Sequence, residues 1–238
     1  MGRLRENIPN AITLCNLLSG TLGIIEIMHG SLLYAAAFIF LGALFDLLDG
    51  ASARLLNAHS ELGKELDSLA DMISFGLCPS LLIYSYLGAT CHTFGSSFIH
   101  IIPYFSIFIA VFTALRLARF NIDSNDSTFF RGLPCPANAL IIASFPFIAY
   151  FYPISSRYFL ISIPALLGFI FISCFLLISN FKLMSFKFQN FKWHLNEYRI
   201  VFLAASVTCI FLLKFAAVPF IVILYFLLSF IQQQQKIK

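Results

Sequence analysis

Long apolar runs, separated by polar connections, are the feature of this sequence that most constrains its fold. A bilayer core about 30 Å thick is crossed by a helix of about 20 apolar residues. The chain has a mean hydropathy of +0.89, and only 11% of its residues are charged. Soluble domains are about 25% charged, so the composition excludes an ordinary water-soluble protein. We therefore predict an all-α integral membrane protein with several transmembrane helices.

The apolar runs divide into eight predicted transmembrane helices. The connections after the second, fourth and sixth helices are longer and more polar than the others. The predicted helices cover residues 11–28, 31–48, 67–88, 98–118, 135–152, 158–180, 198–213 and 215–232.

The distribution of Lys and Arg predicts the orientation of these helices. Thirteen of the fifteen basic residues fall on one side of the arrangement, and only Arg157 and Lys214 fall on the other. Cytoplasmic loops of membrane proteins carry the excess of Lys and Arg. Both termini and the longer loops are therefore expected to face the cytoplasm. An arrangement of seven helices would place Lys236 and Lys238 on the outside.

Carboxylates are concentrated between the second and third predicted helices. Six of the eleven acidic residues lie within residues 45–76. Asp46 and Asp49 are three residues apart, and Asp67 and Asp71 are four apart. Side chains at these spacings share a helix face. Because the two helices are consecutive and antiparallel, the four carboxylates are expected to face one cavity at the cytoplasmic side.

Four carboxylates at the ends of membrane helices need positive charge nearby to offset their mutual repulsion. A charged side chain within a membrane helix costs about 2.5–3.5 kcal/mol on insertion scales. Arg54, the nearby basic residue, cannot neutralise four negative charges. Oxygen ligands of this kind suit hard divalent cations such as Mg²⁺ or Mn²⁺. We expect a divalent metal site, and two ions about 3.5–4 Å apart would form the clamp used in phosphoryl transfer.

Small residues recur on the same predicted helix faces as the acids. Gly50 and Arg54 follow Asp46 at intervals of four residues, Ala53 lies beside them, and Gly63 precedes Asp67 by four. A glycine inside a helix costs about 1 kcal/mol relative to alanine. Its expected benefit is space for a bulky ligand next to the backbone. Arg54 is suited to contact a phosphate or a pyrimidine edge.

The same stretch resembles the signature of the CDP-alcohol phosphatidyltransferases, D-x2-D-G-x2-A-R-x8-G-x3-D-x3-D. All eight fixed positions agree without a gap. Other stretches resemble the phosphatidylserine synthases of the membrane-embedded bacterial, archaeal and yeast type. They are IPNAITLCNLLSG at 8–20, DMISFG after the last Asp, ALRLARFN at 114–121, FRGLPCPANA at 130–139 and SNFKLMSFK at 179–187. The matched signature positions are Asp46, Asp49, Gly50, Ala53, Arg54, Gly63, Asp67 and Asp71.

The resemblance implies transfer of the phosphatidyl group from CDP-diacylglycerol to L-serine, giving phosphatidylserine and CMP. It also implies a homodimer in which a six-helix core surrounds a polar cavity open to the cytoplasm, here with two additional C-terminal helices. The expected partners are the two substrates, membrane lipids and a second copy of the chain, with no nucleic acid. The expected location is the bacterial inner membrane.

The resemblance, together with the positions of polar residues at the cytoplasmic ends of the predicted helices, gives expected roles for individual residues. Asp46, Asp49, Asp67 and Asp71 are expected to bind Mg²⁺ or Mn²⁺, and Asp71 is also the expected catalytic base that accepts the proton of the serine hydroxyl. The residues expected to border the cytidine and diphosphate are Gly50, Ala53, Arg54, Gly63, Asn10 and Thr13. Those expected to bind the serine carboxylate or the lipid phosphate are Arg116, Arg119, Asn121 and Arg131.

Three regions are expected along the chain. Residues 1–180 form the catalytic transmembrane core, and residues 198–238 form a C-terminal transmembrane hairpin and tail. Residues 181–197 between them mix Lys with Phe, Trp and Leu. This composition is typical of an interfacial helix and equally of a basic cytoplasmic loop, and the sequence leaves both open.

Two other functions remain open on the sequence. An enzyme that transfers the phosphatidyl group to glycerol 3-phosphate or inositol phosphate would have the same eight-residue signature. Those acceptors carry a phosphate and also need cationic contacts. A cation-coupled transporter is the alternative from another class. Transporters place ionisable groups near the bilayer midplane, often between internal repeats. Here the acids cluster at one membrane face and no repeat is visible, which favours the enzyme.

Overall fold

The computed structural model describes residues 2–58, 60–92, 97–122, 130–154, 162–183 and 193–236. Most of these residues are helical. The helices are α1 (Gly2–Met28), α2 (Leu32–Leu56), α3 (Glu61–Asp71), α4 (Cys78–His92), α5 (Ile107–Ile122), α6 (Cys135–Phe151), α7 (Ile163–Ile178), α8 (Trp193–Leu213) and α9 (Ala217–Lys236). Shorter helical segments are a π-helical turn (Met72–Leu77) and two 3₁₀ segments (Ser97–Ser106 and Lys214–Ala216).

The predicted all-α membrane fold is confirmed, and helices occur at all eight predicted positions. Five segments are long and apolar enough to cross a membrane, and two further apolar helices are shorter. The protein is therefore a multi-pass membrane protein. The five long segments are Asn7–Met28, Leu32–Leu56, Glu61–Cys91, His100–Ile122 and Val201–Ser229, and the shorter helices are Cys135–Phe151 and Ile163–Ile178.

Two helices around the acids extend beyond the predicted apolar spans. α2 continues to Leu56, eight residues past the predicted end at 48, and α3 begins at Glu61, six residues before the predicted start at 67. Hydropathy marks where lipid contact ends, whereas the helix ends where its backbone is capped. Asn57 adopts a left-handed conformation that closes α2, and the Ser60 hydroxyl accepts the Gly63 N–H at the start of α3.

α3, the π-helical turn and α4 form one continuous helical rod. The π-helical turn contacts α1, α2, α5 and α6, so it lies inside the bundle. α1 approaches it very closely, because a Cβ added at Gly20 would lie 2.7 Å from Ser74 Cα. A larger residue at position 20 would push the two backbones apart. The close approach places the polar side chains of α1 against the acidic end of the rod.

A short strand pair, which the sequence did not predict, ties two loops together at one end of the bundle. β1 (Phe130–Arg131) and β2 (Lys182–Leu183) are antiparallel, with Phe130 opposite Leu183. Next to them the Leu133 N–H donates to the Leu176 carbonyl at 3.0 Å. This hydrogen bond satisfies one of the carbonyls that the end of α7 leaves without a helical partner.

The C-terminal segment folds back on itself as a helical hairpin. Lys214, at the junction of α8 and α9, has φ of 50°, and the rings of Phe202 and Tyr225 lie 5.7 Å apart. Phe215 stacks on Phe147 of α6 at 4.0 Å and so attaches the hairpin to the core. α8 begins at Trp193, five residues before the predicted span at 198. Residues 184–192, most of the predicted interfacial segment or loop, lie outside the described residues.

Candidate metal centre

Three carboxylates from two helices meet where α2 ends and α3 begins. One oxygen from each of Asp46, Asp49 and Asp67 lies within 4.8 Å of the other two. Asp49 is 6% exposed, and the other two are partly buried. α2 presents its two acids one turn apart, and the short connection at 57–60 returns the chain so that α3 faces them. The structure thus brings together three of the four predicted acids.

Asp71 lies one helical turn beyond Asp67 and is the last residue of α3. It is 8% exposed and is not one of the three acids grouped within 4.8 Å. Its Oδ1 accepts a hydrogen bond from Asn16 Nδ2 at 3.1 Å. The π-helical turn follows at once, and such turns frequently occur at functional sites. Asp71 is therefore placed deeper along the same helix face, beside a polar residue of α1.

Thr13 and Asn10 do not lie in open space. The Thr13 hydroxyl donates to Asp49 Oδ2 at 2.7 Å and also lies 3.1 Å from the Pro9 carbonyl one turn earlier in α1, and the residue is 3% exposed. A Cβ added at Gly63 would lie 2.9 Å from Asn10 Oδ1. Thr13 therefore contacts a carboxylate of the cluster, and its expected contact with the nucleotide stays a prediction. A Cβ at position 63 would require the side chains of Asn10 and Ser60 to shift, and both side chains can rotate.

Asn16 is the polar residue that sequence reasoning missed at this site. It is fully buried and contacts Asp71 from α1. A signal was present, because Thr13, Asn16 and Ser19 recur every three residues within an apolar run. That spacing places them near one face of a helix, and polar side chains inside a membrane helix face the bundle interior.

The acids fit a divalent cation. Asp67 Oδ1 is buried without a hydrogen-bond partner among the described residues. Buried anions that lack compensation cost several kcal/mol each. Carboxylate oxygens are the preferred ligands of Mg²⁺ and Mn²⁺. The geometry of Asp46, Asp49 and Asp67, together with the unpaired oxygen, is therefore that of a site for a hard cation.

Gly50 and Arg54 lie on the exposed side of this cluster. A Cβ added at Gly50 would meet no atom within 4 Å, so packing does not require a glycine there. The exposed Arg54 donates from Nε to the Gly50 carbonyl at 2.9 Å. Ala53 between them is partly buried. Gly50 therefore leaves open space beside the acids, next to a guanidinium.

The residues predicted to bind the serine carboxylate or the lipid phosphate come from α5 and the loop after it. They have different surroundings in the structure. Arg116 donates from Nη1 to the Leu177 carbonyl at the end of α7, at 3.1 Å. Asn121 donates from Nδ2 to Ser68 Oγ at 2.9 Å, which links α5 to α3. Arg119 is exposed. Arg131 belongs to β1, and its side chain lies outside the described part of the chain.

A family model and individual relatives of this chain indicate the same protein family. A family model described as CDP-alcohol phosphatidyltransferase matches residues 6–179, which include the whole acidic cluster. A CDP-diacylglycerol–serine O-phosphatidyltransferase of Bacillus subtilis is 36% identical over 146 residues, covering 59% of this chain and 76% of that protein.

Two other relatives extend the comparison. The Helicobacter pylori J99 protein of the same name is 32% identical over 203 residues, covering 83% of this chain and 79% of that protein. An archaetidylserine synthase of Methanothermobacter thermautotrophicus is 34% identical over 163 residues, covering 67% of this chain and 66% of that protein. The names of all three relatives specify serine or a serine-containing product.

Proposed function

The chain belongs to the CDP-alcohol phosphatidyltransferase family, and we propose that it transfers the phosphatidyl group of CDP-diacylglycerol to the hydroxyl of L-serine. The products are phosphatidylserine and CMP. The observation that carries the proposal is the meeting of Asp46, Asp49 and Asp67 within 4.8 Å inside the family-matched region. Serine as the acceptor is supported by the names of relatives whose matches cover most of this chain and most of the relative.

The acidic cluster is proposed to bind the metal that this family generally requires. Asp46, Asp49 and Asp67 would be the main ligands, with Asp71 contributing from the next turn of α3. Mg²⁺ or Mn²⁺ bound there, as one ion or two, supplies electrostatic stabilisation for the charge on the diphosphate and on the departing CMP. The chain itself contributes three carboxylates within 4.8 Å of one another, of which Asp49 is buried and the other two are partly buried.

Asp71 is proposed to accept the proton of the serine hydroxyl. The serine oxygen forms a bond to the phosphorus that carries diacylglycerol, and the bond from that phosphorus to the oxygen bridging to CMP breaks. CMP leaves with the bridging oxygen, and the hydroxyl proton passes to the Asp71 carboxylate. Phosphoryl transfers of this kind depend mainly on positioning and electrostatics. The role is supported by the buried, hydrogen-bonded position of Asp71.

Gly50, with Ala53 and Arg54, is proposed to border the nucleotide and diphosphate. Gly50→Ala is expected to raise the KM for CDP-diacylglycerol, because the added methyl group would occupy open space beside the acids. The same change is expected to stabilise α2 by as much as about 1 kcal/mol, because alanine favours the helix. Steady-state kinetics and thermal unfolding in detergent measure the two effects.

Gly168→Ala is the matched control for Gly50→Ala. Gly168 lies within α7, and a Cβ added there would also meet no atom within 4 Å. The control should gain comparable helix stability without a change in KM. An unchanged KM in Gly50→Ala would argue against a ligand beside that residue.

Arg119 and Arg131 are proposed to bind the serine carboxylate or the lipid phosphate. A guanidinium can donate two parallel hydrogen bonds to a carboxylate. Arg119 is exposed at the end of α5, on the helix that also carries Asn121. Arg116 and Asn121 have structural partners in Leu177 and Ser68. We therefore propose that Arg116 and Asn121 hold the helices that present the other two residues.

The membrane orientation is proposed from charge, with the acidic cluster facing the cytoplasm of a bacterial inner membrane. In the arrangement predicted from the sequence, thirteen of the fifteen Lys and Arg residues fall on the side that carries the cluster. A homodimer is proposed from the family resemblance. In this arrangement a water-soluble acceptor reaches the site from the cytoplasm, while the acyl chains of the donor remain in lipid.

The proposed function is tested by CMP release from purified protein in detergent. CDP-diacylglycerol and Mn²⁺ are supplied with L-serine, glycerol 3-phosphate, inositol phosphate or no acceptor. Release is expected with serine, and phosphatidylserine should form in equal amount. Release with another acceptor would retain the family chemistry and refute serine. A folded protein that releases no CMP with any acceptor would refute the proposed activity.

A further inference from the structure

One face of α1 contacts carboxylates from two different helices. Thr13 lies 2.7 Å from Asp49 Oδ2 on α2, and Asn16 Nδ2 lies 3.1 Å from Asp71 Oδ1 on α3. Thr13 and Asn16 are three residues apart and are 3% and 0% exposed. Neither residue belongs to the eight-position signature. Both contacts run from a neutral donor to a carboxylate, which is among the stronger kinds of hydrogen bond.

The backbone and the side chain of Asn16 have different surroundings, and Asn16 Oδ1 is buried without a hydrogen-bond partner among the described residues. Ser74 Oγ donates to the Asn16 backbone carbonyl at 2.8 Å. A Cβ added at Gly42 would lie 3.0 Å from Asn16 Oδ1, so α2 closes the space on that side. Reversing the amide would put Oδ1 against the Asp71 carboxylate, where two acceptors repel. The surroundings therefore favour the orientation in which Asn16 donates to Asp71.

We infer that Thr13 and Asn16 are positioning residues of α1, which hold Asp49 and Asp71 in the orientation that the proposed phosphatidyl transfer requires. The inference rests on the proposed function for its kinetic consequence. Each donor binds one carboxylate oxygen and fixes the rotamer of the acid, and the other oxygen remains available to the reaction. Hydrogen bonds to ligating carboxylates tune metal sites, and catalytic geometry tolerates errors of only about 0.5 Å. The repelling acids therefore need such supports from a third helix.

The first test is Asn16→Ala, with Asn138→Ala as its control. At saturating Mn²⁺ and CDP-diacylglycerol, Asn16→Ala is expected to lower kcat about 100-fold with little change in the KM for CDP-diacylglycerol. Asn138 is an equally buried asparagine that accepts a hydrogen bond from Ser173, between α6 and α7. Its replacement should lower the thermal stability without lowering kcat.

The second test is Thr13→Val, with Thr113→Val as its control. Valine keeps the shape of threonine but removes the hydroxyl that donates to Asp49. The affinity for Mn²⁺ in the absence of lipid, measured by electron paramagnetic resonance, is expected to fall about tenfold. The equally buried Thr113 donates to the Ile109 carbonyl of its own helix. Thr113→Val should therefore leave Mn²⁺ binding unchanged.

The outcomes separate this inference from the proposed function. A wild-type protein that releases no CMP with any acceptor refutes the function, whereas Mn²⁺ binding still tests Thr13. An active wild type with normal kcat in Asn16→Ala and normal Mn²⁺ affinity in Thr13→Val overturns the positioning roles. Equal losses in the two control variants would also overturn them. If Asn16→Ala does not fold, Asn16→Asp is tested in its place. Aspartate has the same size as asparagine but presents an acceptor to Asp71, so kcat should fall in this variant as well.

Discussion

Asp71→Asn is expected to lower the kcat of serine-dependent CMP release by about 10²–10⁴-fold, the contribution typical of a general base. The variant should fold normally, because its side-chain oxygen can still accept the hydrogen bond from Asn16 Nδ2 that Asp71 Oδ1 accepts at 3.1 Å. What it loses is the negative charge and the ability to take a proton. CMP release and thermal unfolding, measured on the same detergent preparation, separate loss of chemistry from loss of structure.

Glu65→Gln is the control for Asp71→Asn. Glu65 is an exposed acid on the same helix and lies outside the group of three carboxylates. Its replacement also changes a carboxylate to an amide of the same shape, and it should retain wild-type turnover. A folded Asp71→Asn protein with wild-type CMP release would rule out the proposed role of Asp71 as the base.

The membrane helices were predictable because lipid imposes a simple requirement on composition. Each crossing needs a long apolar run, so all eight predicted positions contain a helix. The helix ends were less predictable. Asn57 and Ser60 cap α2 and α3 in the polar connection, where hydropathy carries no information. The strand pair between residues 130–131 and 182–183 depends on contacts between distant parts of the chain, which no local pattern encodes.

The acids of the site were predictable from spacing, but their supports were not. Asp46 and Asp49 share a helix face, and the antiparallel return of the chain brings Asp67 to them. The α1 partners of Asp49 and Asp71 are more than thirty residues away from them in the sequence. Which polar residue of α1 meets which acid depends on the register between helices, and side-chain packing determines that register.

The two glycines of the signature have different surroundings. At Gly63 a Cβ would lie 2.9 Å from Asn10 Oδ1 and 3.0 Å from Ser60 Oγ, so these two side chains would have to move to admit it. At Gly50 a side chain would meet nothing, and the fold gives no reason for a residue that weakens the helix. A sequence pattern treats the two positions alike. Only the surrounding atoms show that the space beside Gly50 is open, which supports the proposal that Gly50 borders the nucleotide and diphosphate.

The arginines illustrate a similar limit. Positive charge near a membrane surface is expected both at binding sites and at ordinary cytoplasmic helix ends. Arg116 donates to the Leu177 carbonyl at the end of α7, where cations stabilise the helix terminus. Its position in the sequence, three residues before the exposed Arg119, does not distinguish the two uses.

Removal of divalent metal is expected to reduce CMP release by about 10³-fold or more, because the metal is proposed to contribute several kcal/mol of charge stabilisation. EDTA treatment followed by Mn²⁺ or Mg²⁺ addition tests this, and activity should return on addition. Asp46→Asn is expected to require a higher Mn²⁺ concentration for half-maximal activity, or to remain inactive, because one of three close carboxylates is lost.

The physical basis of this expectation is the mutual repulsion of the acids. Asp46, Asp49 and Asp67 present oxygens within 4.8 Å of one another, and Asp67 Oδ1 is buried without a hydrogen-bond partner among the described residues. A divalent cation attracts all three carboxylates and reduces their mutual repulsion. Its removal should therefore lower the thermal stability of the wild type, and it should lower that of Asp46→Asn by less. Full CMP release by the metal-free protein would contradict the metal role of the cluster. Equal stabilisation of wild type and Asp46→Asn by Mn²⁺ would show that the ion binds elsewhere.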